Sequence, residues 1–373
     1  MDYILYILIV FVIAEILVAF VFYPSKNGVN FYKLMNNRES GNPLLFKYDN
    51  ELGYTFNPNI IYKNPTKPPP NAPRRIMYID IRTDKNGFLF TEDLDLLKKT
   101  EKLIFCVGGS TTQGSESRHN HTYPSLLDQK LKNHGYRCIN TGVSGYRSIH
   151  ELICLRKKIL PYKPHAVILF SGYNDFEDSA FNYIKPFDPF THCMAHSLPT
   201  NKTEIILQKS ATFHFFKRLI YFFTNKIKTE SITSSGLEDL SKALINQTWL
   251  EKWHTNVGQF IDECNENKIK CFLLSHASPC FENASDEAKL FANKDLNMND
   301  RFDIFLKYLQ IIHKATISLC DEKGAHFIDV RDEFDAVTPF QKRFRLFTDR
   351  MHLTEEGNAL LADSIFQKIK GFL

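Results

Sequence analysis

Four short segments of this chain hold residue types that can act on a carbonyl group. The run Gly108-Gly109-Ser110-Thr111-Thr112-Gln113-Gly114 sets a hydroxyl among small residues, directly after the apolar stretch Leu103–Val107. A serine hydroxyl is a weak nucleophile at neutral pH and needs a base beside it. Asp349-Arg350-Met351-His352 can supply one. A carboxylate three residues from an imidazole, on one side of a turn, can fix its tautomer and leave the other nitrogen to take a proton. Asn140-Thr141-Gly142-Val143-Ser144-Gly145-Tyr146 holds glycines, where a backbone N–H can approach a ligand unobstructed. Ser171-Gly172-Tyr173-Asn174-Asp175 adds a side-chain amide that can donate to an oxyanion.

Each segment taken singly has an ordinary reading too. The glycines after Asn140 suit a plain strand-to-helix turn, Asn174 suits an Asx-turn, and an isolated D-x-x-H suits a solvated surface. The Ser110 segment also misses the better-known glycine motifs. Gly109 and Gly114 have P-loop spacing, but Ser115 stands where the lysine belongs. The G-x-G-x-x-G spacing fails, and Thr112 takes the place of the last glycine of a G-x-S-x-G elbow.

The elements that must position these residues are legible from periodicity. Leu103–Val107, Arg137–Asn140, Ala166–Phe170, Cys271–Leu274 and His326–Val330 are short runs built on continuous rather than alternating apolar residues, the mark of strands buried on both faces. Between them run helical patterns over Tyr123–Asn133, Ser148–Leu160, Thr248–Asn267 and Asp303–Glu322. A last helix is expected after Thr354 as N-cap, with Glu355 and Glu356 in its first turn and Leu361, Ile365 and Ile369 on its buried stripe. Strand–helix alternation predicts a five-stranded parallel sheet covered by helices on both faces. Such sheets carry their sites at the carboxyl ends of the strands, where three of the four segments fall.

The remaining length has three parts. Tyr3–Tyr23 is a run of 21 residues whose one charge is Glu15. Helical, it would reach about 30 Å, enough to cross a bilayer core, so residues 1–24 are expected to be a transmembrane anchor. The run lacks the basic n-region and the A-x-A site of a cleaved signal. Residues 25–100 are rich in proline, including Pro68-Pro69-Pro70, and are expected to be extended segments packed on the main domain. Residues 101–373 form that domain, with a long insert at about 176–246. It holds the aromatic, basic stretch Phe213–Phe223, expected to be a buried helix, a lid, or a helix on the membrane surface.

Composition narrows the function. Lys and Arg total 46 against 42 Asp and Glu, a net charge of +4, which argues against a nucleic-acid binder with a large basic face. The 8 cysteines include no C-x-x-C pair, and no metal or cofactor is expected. The surplus is aromatic: 32 Phe and 16 Tyr against 2 Trp.

In this order, the four segments resemble the blocks of the SGNH hydrolases, also called GDSL-type lipases and acylhydrolases, over roughly residues 101–370. The resemblance implies a three-layer α/β/α flavodoxin-like fold. It also implies a serine esterase that cleaves a small-molecule or glycan ester, such as an O-acetyl or other short acyl ester, through an acyl-enzyme. Ser110 corresponds to the nucleophile, His352 to its base and Asp349 to the residue that orients the base. The implied oxyanion donors are the N–H groups of Ser110 and Gly145 and the amide of Asn174. Gly145 fits better than Gly142 because the family's second block reads N-x-x-x-x-G from Asn140. Tyr173 and His276 are candidates for the pocket lining. One departure stands out: the first block is often G-D-S, and Gly109 occupies the Asp position. An O-acyltransferase acting on a glycan, or a membrane-tethered binding protein with an idle site, would share these residues. The stretches Asp49–Tyr54 and Asp84–Phe88 are similar to the extension of membrane-anchored bacterial members, which face outside the cytoplasm. Lys26, Lys33 and Arg38 after the apolar run point the other way by the positive-inside rule. The expectation adopted is a single-pass protein with an extracytoplasmic domain.

Overall fold

Five apolar runs pair side by side into one parallel sheet, because continuous Val, Ile, Leu and Phe side chains need cover on both faces. In the computed structural model the described residues are 45–49, 51–65, 78–180, 232–296, 298 and 300–373, with pieces at 6, 9–14, 17, 24–25 and 28–29. Most of the Tyr3–Tyr23 run, the centre of the insert and the stretch Phe213–Phe223 lie outside the described residues. Among the described residues, no helix is long and apolar enough to cross a membrane.

The chain divides into two compact units. The first, residues 1–55 with 188–236, has two short strand pairs among its described residues: β1 (Pro24–Ser25) antiparallel to β2 (Gly28–Val29), and β3 (Phe46–Asp49) beside β4 (Gly53–Phe56), whose last residue begins the second unit. The edge-on contact of Phe46 and Tyr54 packs the second pair.

The second unit, residues 56–187 with 237–373, contains the parallel sheet. It opens with an antiparallel hairpin, β5 (Ile61–Pro65) and β6 (Tyr78–Arg82). The sheet strands are β7 (Lys102–Gly108), β8 (Tyr136–Asn140), β9 (Ala166–Phe170), β10 (Lys270–Leu274) and β11 (His326–Ile328). Their order is β8-β7-β9-β10-β11, all parallel. The chain goes outward from β7 to β8, then returns past β7 to β9. That reversal opens a crevice at the carboxyl end of β7, and Ser110 sits two residues beyond it.

The helices flank the sheet as two groups. Helix α1 is the single turn Ser110–Gln113. Helix α2 (Tyr123–Leu131) buries Tyr123, Leu127 and Leu131 at i, i+4 and i+8, lies on β8 and packs against α8 (Glu355–Ile369). The other group comprises α3 (Ser148–Cys154), α4 (Tyr173–Ala180), α6 (Thr248–Glu266), which packs on β10, and α7 (Phe302–Lys323), which packs on β11; α5 (Ile232–Asn246) precedes α6. Thr354 caps α8 by accepting from the Gly357 N–H at 3.2 Å, and Leu361, Ile365 and Ile369 are buried, as their spacing predicts.

Two boundaries differ from the periodicity. The expected helix over 148–160 is α-helical only to Cys154, widens to a π turn over Leu155–Ile159 and closes as a 3-10 turn at Leu160–Tyr162. Pro161 has no N–H, and its ring crowds the carbonyl four residues back, so the regular pattern cannot continue. The fifth strand stops at Ile328 rather than Val330. There side chains take the backbone donors: Val330 N donates to Ser275 Oγ at 2.8 Å, and Arg331 N to Asp329 Oδ1 at 3.0 Å.

Candidate active site

The turn after β7 delivers Ser110 as the first residue of α1, with Gly109 as its N-cap. At the other end of the domain, the residues before α8 fold back on themselves. Thr348 N donates to the His352 carbonyl at 2.8 Å, and Phe347 pairs with Leu353. Within that loop the Asp349 carboxylate organises its own turn. Its Oδ1 accepts from the backbone N–H groups of Met351, at 2.9 Å, and His352, at 2.8 Å.

The side chains then meet in a line. His352 Nδ1 lies 2.8 Å from Asp349 Oδ2, and His352 Nε2 lies 2.8 Å from Ser110 Oγ. An ionised carboxylate only accepts, so Nδ1 carries the imidazole proton and Nε2 is left to accept from the serine hydroxyl. The electrostatics favour this arrangement. Burial by itself would raise the Asp349 carboxyl, but the charge and hydrogen bond of His352, with Arg350 nearby, hold it far below the usual range. Burial by itself would lower the His352 imidazole, but the Asp349 carboxylate, helped by Glu116, lifts it above its ordinary value.

The segment after β8 is fixed by donors that cannot also serve a ligand. Gly142 N donates to Asn140 Oδ1 at 2.9 Å, and Val143 N to the Gly108 carbonyl at 3.1 Å. Ser144 N donates to Gln113 Oε1 at 2.7 Å. The Gly142 N–H is therefore engaged within its own loop, which leaves Gly145 as the candidate donor. Gly145 adopts φ 81°, a left-handed conformation open to glycine without a Cβ penalty.

Helix α4 brings up the third donor. Asn174 Nδ2 donates to the Tyr146 carbonyl at 2.7 Å, which aims the amide and leaves its second hydrogen available. The next residue, Asp175, is buried and caps α3, accepting from Ser148 N at 3.0 Å and Ser148 Oγ at 2.6 Å. Two consecutive side chains of α4 thus hold the loop that carries Gly145.

The absence of a side chain at Gly109 is explained here. A Cβ at that position would lie 2.7 Å from Asn174 Nδ2 and 3.4 Å from the Tyr146 carbonyl oxygen. The Asn174 amide occupies the room that an Asp in a G-D-S block would need.

One cleft is bordered by Ser110, Tyr173, Asn174 and His276, together with Tyr146 and Met351. Gly145 is one residue from its wall. His276 is fully neutral: burial, with His313 nearby, pushes its imidazole down to about 3. Its Nε2 faces the Tyr308 hydroxyl at 3.3 Å. Tyr173 has a second partner that sequence reasoning did not find. Arg350, inside the Asp–His block, donates to the Tyr173 hydroxyl, pairs with Glu177 one turn along α4, and lies over the rings of Tyr173 and Phe305. It ties the loop of Asp349 and His352 to the helix of Asn174. Arg350 was visible between two singled-out residues, but nothing in the sequence names Tyr173 and Glu177 as its partners. Asp175 was equally visible beside Asn174, and its role depends on a helix start 27 residues away.

The family described as GDSL-like lipase/acylhydrolase matches residues 106–360. Among solved structures, the chain is similar to an acetylxylan esterase from Geobacillus stearothermophilus, at 16% identity and TM-score 0.42, over 72% of this chain and 94% of that one. It is also similar to a lipase/acylhydrolase from Enterococcus faecalis, at 15% identity and TM-score 0.41, over 73% and 97% of the two chains. No curated protein matches the chain.

Proposed function

The chain belongs to the GDSL-like lipase/acylhydrolase family and is an ester hydrolase; from that premise we propose that Ser110, His352 and Asp349 perform the hydrolysis through an acyl-enzyme. The observation that carries this reading is the unbroken hydrogen-bonded line Ser110–His352–Asp349, with 2.8 Å at both contacts. Ser110 Oγ attacks the carbonyl carbon as His352 Nε2 takes its proton. The carbonyl oxygen becomes an oxyanion facing Ser110 N–H, Gly145 N–H and the Asn174 amide, each such donor being worth about 2.7–4 kcal/mol in the transition state. His352 then protonates the leaving alkoxide as the C–O bond breaks. Water, deprotonated by the same nitrogen, releases the acid and restores the serine.

The substrate we propose is a small-molecule or glycan ester of a short acyl group. Support comes from the cleft beside Ser110, whose free volume of about 20 Å³ among the described residues has room for a small acyl group. An aryl acetate should be hydrolysed by the full chain, and Ser110→Ala should abolish that turnover. Undiminished turnover in the variant would remove Ser110 from the reaction.

We propose further that residues 1–24 hold the hydrolase at a membrane, with the domain outside the cytoplasm. The apolar length of the Tyr3–Tyr23 run and the exposure of Ile9, Val10, Phe11, Val12 and Ile13 along it support the anchor. The side rests on the likeness of Asp49–Tyr54 and Asp84–Phe88 to anchored family members. Partition of the full chain into the membrane fraction, and protease access in intact cells, test the two parts.

A further inference from the structure

The base and the oxyanion amide come from distant parts of the chain. His352 stands on the loop before α8, and Asn174 in the first turn of α4. Each is fixed locally, His352 through its own N–H to Asp349 Oδ1 and Asn174 through the Tyr146 carbonyl. Neither bond sets the separation between the loop and the helix. The 2.8 Å contact of His352 with Ser110 cannot set it through the whole cycle either. Once Ser110 is acylated, its Oγ has no proton to donate.

Arg350 spans that gap. Its guanidinium donates to the Tyr173 hydroxyl and pairs with Glu177, which is one turn further along α4. The fork therefore grips two points on one face of the helix, and Asn174 adjoins the first of them. The Tyr173 hydroxyl in turn donates to Glu177 Oε1 at 3.5 Å, which closes the three groups into a ring. Phe305 of α7 stacks on Tyr173 with centroids 5.8 Å apart at 19°, and the guanidinium lies 5.5 Å from the Phe305 centroid and 5.9 Å from that of Tyr173. A lysine has the charge for this place but neither the planar fork nor the stacking surface.

The charge has a separate effect. The charged groups that act on the His352 imidazole are Asp349 and Arg350 in its own loop and Glu116 in the segment after α1. The two carboxylates favour the imidazolium, and the Arg350 guanidinium opposes it. Removing the cation therefore makes His352 easier to protonate, while a lysine in its place keeps that opposition.

We propose that Arg350 is a positioning residue: by fastening the loop of Asp349 and His352 to Tyr173 and Glu177, it holds the base and the Asn174 amide at their working separation. This rests on the esterase reading of Ser110 and goes beyond it. The test is hydrolysis of an aryl acetate by the full chain across pH, in Arg350→Lys, Arg350→Met and Glu177→Gln. Glu177 does not border the cleft, so its effect must pass through Arg350 and Tyr173. A misplacement of about 1 Å can cost about 10²-fold, so kcat should fall at least about tenfold in both Arg350 variants, with KM within about twofold. The acid midpoint of kcat/KM should stay in place in Arg350→Lys and rise in Arg350→Met. Glu177→Gln keeps an acceptor but loses its charge, so its kcat should fall between the wild type and Arg350→Lys. A merely structural arginine would change the urea midpoint and leave kcat and the acid midpoint of the folded enzyme as they are. Wild-type kcat in Arg350→Lys, or in Glu177→Gln where the Arg350 variants do not fold, would overturn the positioning role and leave the esterase standing. An inactive wild-type chain would overturn both.

Discussion

Gly109→Ala isolates the contribution of the oxyanion arm without touching a reacting group. The new Cβ would stand 2.7 Å from Asn174 Nδ2, inside any contact that real Cβ atoms make. Its next neighbour, the Tyr146 carbonyl oxygen at 3.4 Å, can stay where it is. The amide is the far end of a side chain, so it yields by rotating, and that breaks its 2.7 Å bond to Tyr146. The stability change should therefore be small, within about 1 kcal/mol. Catalysis should suffer as if a donor had been removed. One such donor is worth about 2.7–4 kcal/mol, or roughly 10²–10³-fold in kcat. Steady-state hydrolysis of an aryl acetate, with urea denaturation of the same preparations, separates the two effects. Asn174→Ala should cost a similar factor, and the double variant little more than either single one, because both remove the same donor. Multiplying losses, or an unchanged kcat in Gly109→Ala, would refute the account of why this position lacks a side chain.

Protonation of His352 should govern the acid side of the pH profile. Only the neutral imidazole can take the Ser110 proton, and the Asp349 carboxylate raises its pKa above the ordinary imidazole value, so kcat/KM should fall with decreasing pH from a midpoint higher than that of a free histidine. Asp349→Asn removes the charge that raises it most, so kcat should drop about 10⁴-fold and the residual acid limb should move to lower pH. A limb that moves upward would contradict the assignment. Arg350→Met leaves Glu177 and the Tyr173 hydroxyl without their cation and should cost about 3 kcal/mol in urea denaturation, Glu177 being partly solvated. Adding Glu177→Gln should recover part of that loss, and no recovery would show that the pair is not coupled.

What the sequence disclosed and what it hid divide along physical lines. The five strands are legible because a strand covered on both faces is mainly apolar without alternation, and Ala166–Phe170 appears in the structure with the bounds its composition predicts. Thr354 was legible as a cap because capping depends on a few adjacent residues. Ser110, Asn174, Asp349 and His352 stood out through neighbours in the chain, and the fold sets Ser110 and Asn174 on one cleft, His352 against Ser110, and Asp349 behind His352. Contacts between distant segments stayed hidden. The grip of Arg350 on Tyr173 spans 177 residues, and the Asn174–Tyr146 bond couples a helix start to a loop that no local pattern links to it. The π turn before Pro161 was foreseeable from that proline alone, whereas the early end of β11 depends on Ser275 from the neighbouring strand.

The central claim is that Ser110 becomes acylated during turnover. Incubating the full chain with a fluorophosphonate and mapping the adduct by peptide mass spectrometry tests it most directly. The account predicts one phosphonylated residue, Ser110, with labelling that parallels loss of esterase activity and is much slower in His352→Ala. Complete inactivation with Ser110 unmodified, or an equal labelling rate in His352→Ala, would contradict it.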